Sequence, residues 1–196
     1  MSLDLKLITS LREKTGAGIV ECKSALSESD GNVEKAIEIL RKKGEIKAAK
    51  KSAERTAKEG LVHAYVHANG RVGAMVELSC ETDFVARNEE FQGLAHDLAM
   101  QIVATNPLYL SPDDVPEELI AKEKEIYFEE IKAQGKPESV VEKIMEGKIT
   151  KYFGDICLLR QSFIKDEDIT VEELINQKIA KIGEKIEIKK IARFEI

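Results

Sequence analysis

Short apolar stripes separated by breakers open the chain. Leu3, Leu5, Leu7, Ile8 and Leu11 make one stripe, which stops at Thr15-Gly16-Ala17-Gly18. A second helical run from about Ile19 to Glu28 offers Val20, Cys22, Ala25 and Leu26 for packing and is broken by Asp30-Gly31-Asn32. Asn32 is placed to cap a third helix with the stripe Val33, Ala36, Ile37 and Leu40. Arg41, Lys42 and Lys43 stand at its negative end and Gly44 lies beyond. Residues 1–44 are thus predicted to form a three-helix bundle. Residues 45–59 change character: Lys47, Lys50, Lys51, Arg55 and Lys58 alternate with small residues, interrupted by Glu45, Glu54 and Glu59. They read as a basic, partly helical linker, either a solvated tether or a contact for an acidic partner.

From residue 60 the period changes from that of helices to that of strands. Residues 61–68 and 71–80 predict a hairpin, with Asn69-Gly70 as a two-residue type I′ turn. That pairing sets Leu61, His63, Tyr65 and His67 on one face, opposite Leu78, Val76, Ala74 and Val72. After Cys80-Glu81-Thr82-Asp83-Phe84-Val85-Ala86-Arg87, Asn88 caps a helix whose stripe is Phe91, Leu94, Ala95, Leu98, Ala99, Ile102 and Val103. That helix is expected to cover the sheet. Two acidic helices follow, about 116–134 and 137–153, joined by Gly135-Lys136-Pro137, and read as a projecting antiparallel hairpin. A strand near 157–164, a helix near 170–182 and a closing strand 185–195 complete an α+β core over 60–196, with the helical hairpin as an insertion at about 116–153.

Composition narrows the function class. A chain of 196 residues with 43% hydrophobic and 34% charged positions can bury one sizeable core and a small satellite domain. No apolar run approaches the ~18 residues of a spanning helix, and Met1-Ser2-Leu3-Asp4-Leu5 lacks the features of a signal peptide, so a cytoplasmic, membrane-free location is expected. The net charge of -6 argues against nucleic acid as main partner, because phosphate rewards a basic face. Cys22, Cys80 and Cys157 are far apart and odd in number, which predicts reduced, buried thiols.

Catalytic motifs fail on inspection. Gly16-Ala17-Gly18-Ile19-Val20-Glu21-Cys22-Lys23-Ser24 imitates two phosphate loops, but Glu21 stands where a dinucleotide fingerprint needs Gly, and Cys22 where a Walker loop does. His63 and His67 lie ~13 Å apart along a strand at ~3.3 Å per residue, too far to share one ion. No nucleophile elbow or zinc-binding His pair appears. The expectation is a binding protein without catalytic residues, resident metal or cofactor. From pattern alone, Asp83 either caps a turn or meets a partner, and Phe84 either packs under the hairpin or stands outside it. Ile19 and Val20 are equally open between bundle core and contact surface.

Two islands, TGAGIVECKSAL over Thr15–Leu26 and CETDFVARNEEF over Cys80–Phe91, resemble the two signature regions of the bacterial elongation factor Ts family. The likeness continues through Leu40-Arg41-Lys42-Lys43-Gly44, Tyr109 to Pro116, Lys122–Tyr127 and Arg193-Phe194-Glu195, and so spans essentially the whole chain. It implies a ubiquitin-associated-like bundle that grips the GTPase elongation factor Tu, and a core that promotes release of GDP so that GTP can enter. Carried over residue by residue, Thr82, Asp83, Phe84 and Val85 are implied as the wedge near the partner's magnesium site, and Arg12, Ile19, Val20 and Lys23 as the N-terminal contact. Members of the family usually have two methionines at Ile19 and Val20, Asp at Glu21, Lys at Ser24 and Asn at Ser79.

The chain resembles the short form of the family, with one hairpin-plus-helix unit and no internal repeat. A single half-core leaves a sheet edge, and the apolar closing strand can pair with its copy, which predicts a homodimer. Ala192 precedes Arg193, so no disulfide can lock such a pairing there. Two rivals remain at this stage: a ubiquitin-associated-type protein-binding module, which leaves TDFV unexplained, and a ribosome- or RNA-associated protein using the basic linker, which the net acidity opposes.

Overall fold

The structure, a computed structural model, describes residues 5–134 and 137–196, without the side chains of residues 45–54, 138 and 139. Leu3, the link Gly135-Lys136 and the side chains of Glu45, Lys47, Lys50, Lys51 and Glu54 lie outside the described residues. The fold is α+β, as the patterns predict. In chain order the elements are α1 (Leu5–Thr15), α2 (Ile19–Glu28), α3 (Val33–Glu54), β1 (Glu59–Val66), β2 (Val72–Cys80), α4 (Asp83–Ala86) and α5 (Glu89–Thr105). Then come α6 (Glu117–Ala133), α7 (Glu138–Ile156), β3 (Ser162–Phe163), β4 (Asp166–Thr170), α8 (Val171–Ile182) and β5 (Glu187–Glu195). The chain divides into two compact units. One comprises Met1–Leu61, Ser79–Phe91 and Glu173–Glu187; the other comprises Val62–Leu78, Gln92–Glu172 and Ile188–Ile196.

In the first unit α1, α2 and α3 bury Ile8, Leu11, Cys22, Ala25, Leu26 and Ala36, with Leu7, Val33, Ile37 and Leu40 packed around them. Helix α2 ends in a Schellman turn: the Asp30 N–H reaches the Ser27 carbonyl at 3.4 Å and the Gly31 N–H reaches that of Leu26 at 2.8 Å. Asn32 then caps α3, its Oδ1 accepting from the Lys35 N–H at 3.0 Å. The expected stop at Gly44 does not occur, and α3 runs on to Glu54. One interior glycine costs about 1 kcal/mol, which the Ala-, Lys- and Glu-rich run beyond it outweighs. Gly44 instead meets α8, where a Cβ in its place would touch the Ala180 methyl at 3.7 Å. Arg41 forms an ion pair with Glu173 on the same helix.

In the second unit the hairpin opens differently from the type I′ expectation. The Gly70 N–H closes on the His67 carbonyl at 2.7 Å, and the His67 N–H bonds to the Val72 carbonyl at 2.9 Å. Gly70 alone of the pair has positive φ (67°). The Asn69 side chain accepts from the Arg71 N–H at 3.0 Å, a local bond that keeps Asn69 out of the left-handed region. The result is a longer loop around a β-turn in which Gly70 supplies the left-handed residue. Strands run in the order β1-β2-β5, antiparallel, with β5 at an edge. Helix α5 lies on one face: His96 meets His63 of β1 (3.1 Å), and the Val103 carbonyl accepts from Arg193 Nε of β5 (3.3 Å). The whole predicted stripe of α5 is buried.

The helices α6 and α7 pair as an antiparallel hairpin, with Lys148 on Glu130 (2.6 Å) and its ammonium 4.8 Å from the centre of the Tyr127 ring. The strand expected near 157–164 shrinks to a bridge at Cys157, a 3-10 turn at Leu158–Arg160 and the two residues of β3. Buried Gln101 of α5 takes the backbone's partners there: its Nε2 donates to the Ser162 carbonyl (3.1 Å) and its Oε1 accepts from the Ile164 N–H (2.9 Å). All three cysteines are buried and free. Burial, and then the Glu184 charge, pushes the Cys80 thiol up to about 11, so it is unreactive at neutral pH. No helix among the described residues is long and apolar enough to cross a membrane.

Candidate functional site

The site is built where β2 runs out. Beyond Cys80 the chain leaves the sheet and Thr82, in an extended conformation, caps α4, its hydroxyl accepting from the Val85 N–H at 3.4 Å. The helix is one turn long, closed by Ala86 N–H to Thr82 C=O (3.3 Å) and Arg87 N–H to Asp83 C=O (3.2 Å). A single turn has no second row of side chains to bury, so its apolar residue stands out: Phe84 is 81% exposed. The alternative of a core phenylalanine is thereby removed. Asp83 is half-buried and pairs with Arg87 at 3.0 Å across the turn, a solvent-exposed pair that adds little stability. Val85 is half-buried and Thr82 exposed.

Two loops hold this turn by reciprocal bonds. The Glu184 carboxylate accepts from the Glu81 and Thr82 N–H groups, both at 3.1 Å, and from the Thr82 hydroxyl at 2.7 Å. The Glu81 carboxylate in turn accepts from the Lys185 N–H at 2.6 Å and from the Arg55 guanidinium at 3.1 Å. Gly183, with φ of 91°, ends α8 and turns the chain so that residues 184 and 185 meet 81 and 82. The buried Cys80 thiol donates to the Thr82 carbonyl at 3.1 Å.

The N-terminal candidates make a second exposed set on α1 and α2. Ile19 and Val20 open α2 and are 57% and 80% exposed, which resolves their status in favour of surface; Arg12 and Lys23 are exposed too. The phosphate-loop resemblance is defeated in space as well, because the Gly18 N–H is engaged by the Glu21 carboxylate at 3.3 Å. Both sets of candidates belong to one compact unit, and Lys181 lies near the segments that carry them. Lys181 lies against Gly16, where a Cβ would come within 3.4 Å of its Cδ, and its ammonium pairs with Glu90 just beyond α4. The bond from Lys181, and a second from Lys178, hold the Glu90 carboxyl below the usual carboxylate range against the opposing effect of burial. Glu81, Glu184, Arg55 and Lys181 were not legible as site residues: ordinary charged residues, they are marked only by where the chain brings them.

The family profile described as Elongation factor TS matches residues 5–196. The chain belongs to this family. Among similar proteins named Elongation factor Ts, that of Moorella thermoacetica is 55% identical over 96% of this chain and 93% of its own length. The Thermotoga petrophila protein is 55% identical over 100% and 97%, and the Carboxydothermus hydrogenoformans protein 54% identical over 97% and 88%. Membership of the elongation factor Ts family assigns the chain to translation elongation.

Proposed function

We propose that this chain binds elongation factor Tu carrying GDP and promotes release of the nucleotide, without any covalent step of its own. It is on this reading a cytoplasmic exchange factor and not an enzyme, and it needs neither nucleic acid nor membrane. Residues 1–44 act as the gripping domain, through Arg12, Ile19, Val20 and Lys23, and the core from 60 to 196, tethered by 45–59, presents the wedge Thr82-Asp83-Phe84-Val85. The observation that carries the reading is Phe84, whose ring stands 81% exposed on a single capped turn instead of joining the core. An aromatic ring seated in a partner displaces structure there, and disturbing a magnesium site removes the cation that offsets the diphosphate's charge. Linkage makes the effect reciprocal: a factor that weakens GDP binding is itself bound less tightly when GDP is present.

The test is release of a fluorescent GDP analogue from elongation factor Tu, with magnesium present, by the wild-type chain and by Phe84→Ala. Acceleration by the wild type and a clear loss in the variant are expected. Release at the spontaneous rate with the wild type overturns the exchange reading.

A homodimer is part of the proposal. Val62 and Val66 of β1 and Met75 of β2 are exposed on the sheet face away from α5. Exposed Phe194 of β5 joins them, since neighbouring Arg193 points towards α5. An apolar sheet face of this kind is suited to packing against a second copy, with the β5 edge beside it. Light scattering at micromolar concentration should give twice the chain mass; a monomer would refute the pairing.

A further inference from the structure

We propose that Glu184 is a positioning residue for nucleotide exchange: its carboxylate clamps Glu81 and Thr82 and thereby aims Phe84. The inference rests on the exchange reading and adds to it a residue 100 positions from the wedge. The geometry is specific in direction. A carboxylate is acceptor-only, so the Thr82 hydroxyl must donate its single proton to Glu184, at 2.7 Å. Its lone pairs are then left for the Val85 N–H, the bond that caps α4. Glu184 therefore fixes the rotor that makes Thr82 a cap, while its other oxygen holds the N–H groups of Glu81 and Thr82. The returning bonds from Lys185 and Arg55 to Glu81 close the clamp from the opposite side, and Arg55 also reaches the Gly183 carbonyl at 3.4 Å.

A turn of four residues cannot hold its own geometry, since helix nucleation is unfavourable and isolated helices shorter than about 12 residues are marginal in water. The aim of Phe84 must therefore come from outside α4. The exposure of the ring means that packing does not supply it. Without Glu184 the turn frays, and only the fraction of molecules with the right geometry engages the partner, so the apparent affinity falls by that fraction. If one molecule in ten retains it, the loss is about tenfold.

The experiment measures elongation factor Tu affinity and GDP release for the full chain in four forms: wild type, Glu184→Ala, Phe84→Ala and the double variant, with Glu184→Gln as a fifth. The expected result is a loss of about tenfold for Glu184→Ala that vanishes when Phe84 is already alanine, because a residue acting through Phe84 is non-additive with it. Glu184→Gln keeps a carbonyl for the two N–H groups but not both carboxylate oxygens, so it should fall between wild type and Glu184→Ala. Amide exchange of Thr82 and Val85 should quicken in Glu184→Ala by more than the fall in global stability accounts for. Losses that multiply in the double variant overturn the proposal, as do unchanged Thr82 and Val85 exchange or a Glu184→Ala chain as active as wild type. A wild-type chain that fails to accelerate release overturns the exchange reading instead, so the two failures are told apart.

Discussion

Truncating Phe84 should separate binding from stability more cleanly than any other change in the chain. In the free protein 81% of the residue is in water, so Phe84→Ala removes almost no folded-state burial. The cost to folding should stay within about 0.5 kcal/mol, the range of ordinary surface substitutions. Full burial of a phenylalanine side chain gains about 1.5–3 kcal/mol, and about four fifths of that, roughly 1.2–2.4 kcal/mol, is still to be gained in a complex. Converted at 1.4 kcal/mol per decade, the variant should bind nucleotide-free elongation factor Tu about 7- to 50-fold more weakly. The assay is a titration of nucleotide-free partner against wild type and variant, with thermal melts of both chains run in parallel. If the ring is buried only when GDP leaves, affinity for the GDP-bound partner changes less, and the coupling between the two ligands shrinks accordingly. A melting temperature that falls by several degrees would mean the ring is structural. Equal affinities would mean that the partner never buries it.

Two further outcomes follow from the second compact unit. His63 is held below the ordinary histidine pKa first by burial and then by the neighbouring His96 charge, with Tyr65 and His67 beside them. The unfolded chain then binds more protons below about pH 6.5, so stability is complete above that pH and is lost as pH falls through the depressed folded value. Melts between pH 7.5 and 5 should show the drop, and His63→Gln should reduce it; an unchanged slope would refute the assignment. Gln101→Leu should destabilise the fold by about 1–2 kcal/mol, because it removes the amide's hydrogen bonds to the Ile164 N–H and the Ser162 carbonyl at a part-buried site. A loss below about 0.5 kcal/mol in urea denaturation would show that water replaces the amide.

Long periodic elements were readable because their pattern is local. The α5 stripe, the Asn32 cap and the hairpin faces each depend on residues within a few positions of one another, and each stands where its pattern puts it. The departures arise where a local signal competes with a neighbour. Gly44 reads as a stop until the helix-forming run beyond it and the proximity of Ala180 are weighed. Asn69-Gly70 reads as type I′ until the asparagine side chain binds the Arg71 N–H instead. The strand near 157–164 fails because a side chain from α5, some 60 positions earlier, takes up its backbone groups. Exposure of Phe84 was undecidable from pattern, since one helical turn carries no periodicity to read.

What organises the site lies outside both islands that the sequence singles out. The end of α8 and the turn after it supply Lys181 and Glu184. Lys181 rests on Gly16 just before α2 and pairs with Glu90 beyond α4; Glu184 grips the start of α4. One short stretch thus lies against two segments more than 60 positions apart: the Lys181 stem meets Gly16, and charge-assisted bonds, which hold direction better than apolar packing does, hold Thr82 and Glu90. Phe84 and Val20 are both largely exposed, so packing among the described residues does not fix them. At Phe84 the rigidity has to come from the polar groups behind the turn. A sequence pattern built on hydrophobic periodicity is blind to such groups, so Lys181 and Glu184 carried no signal, while Phe84 and Val20 were singled out by the family resemblance and not by pattern.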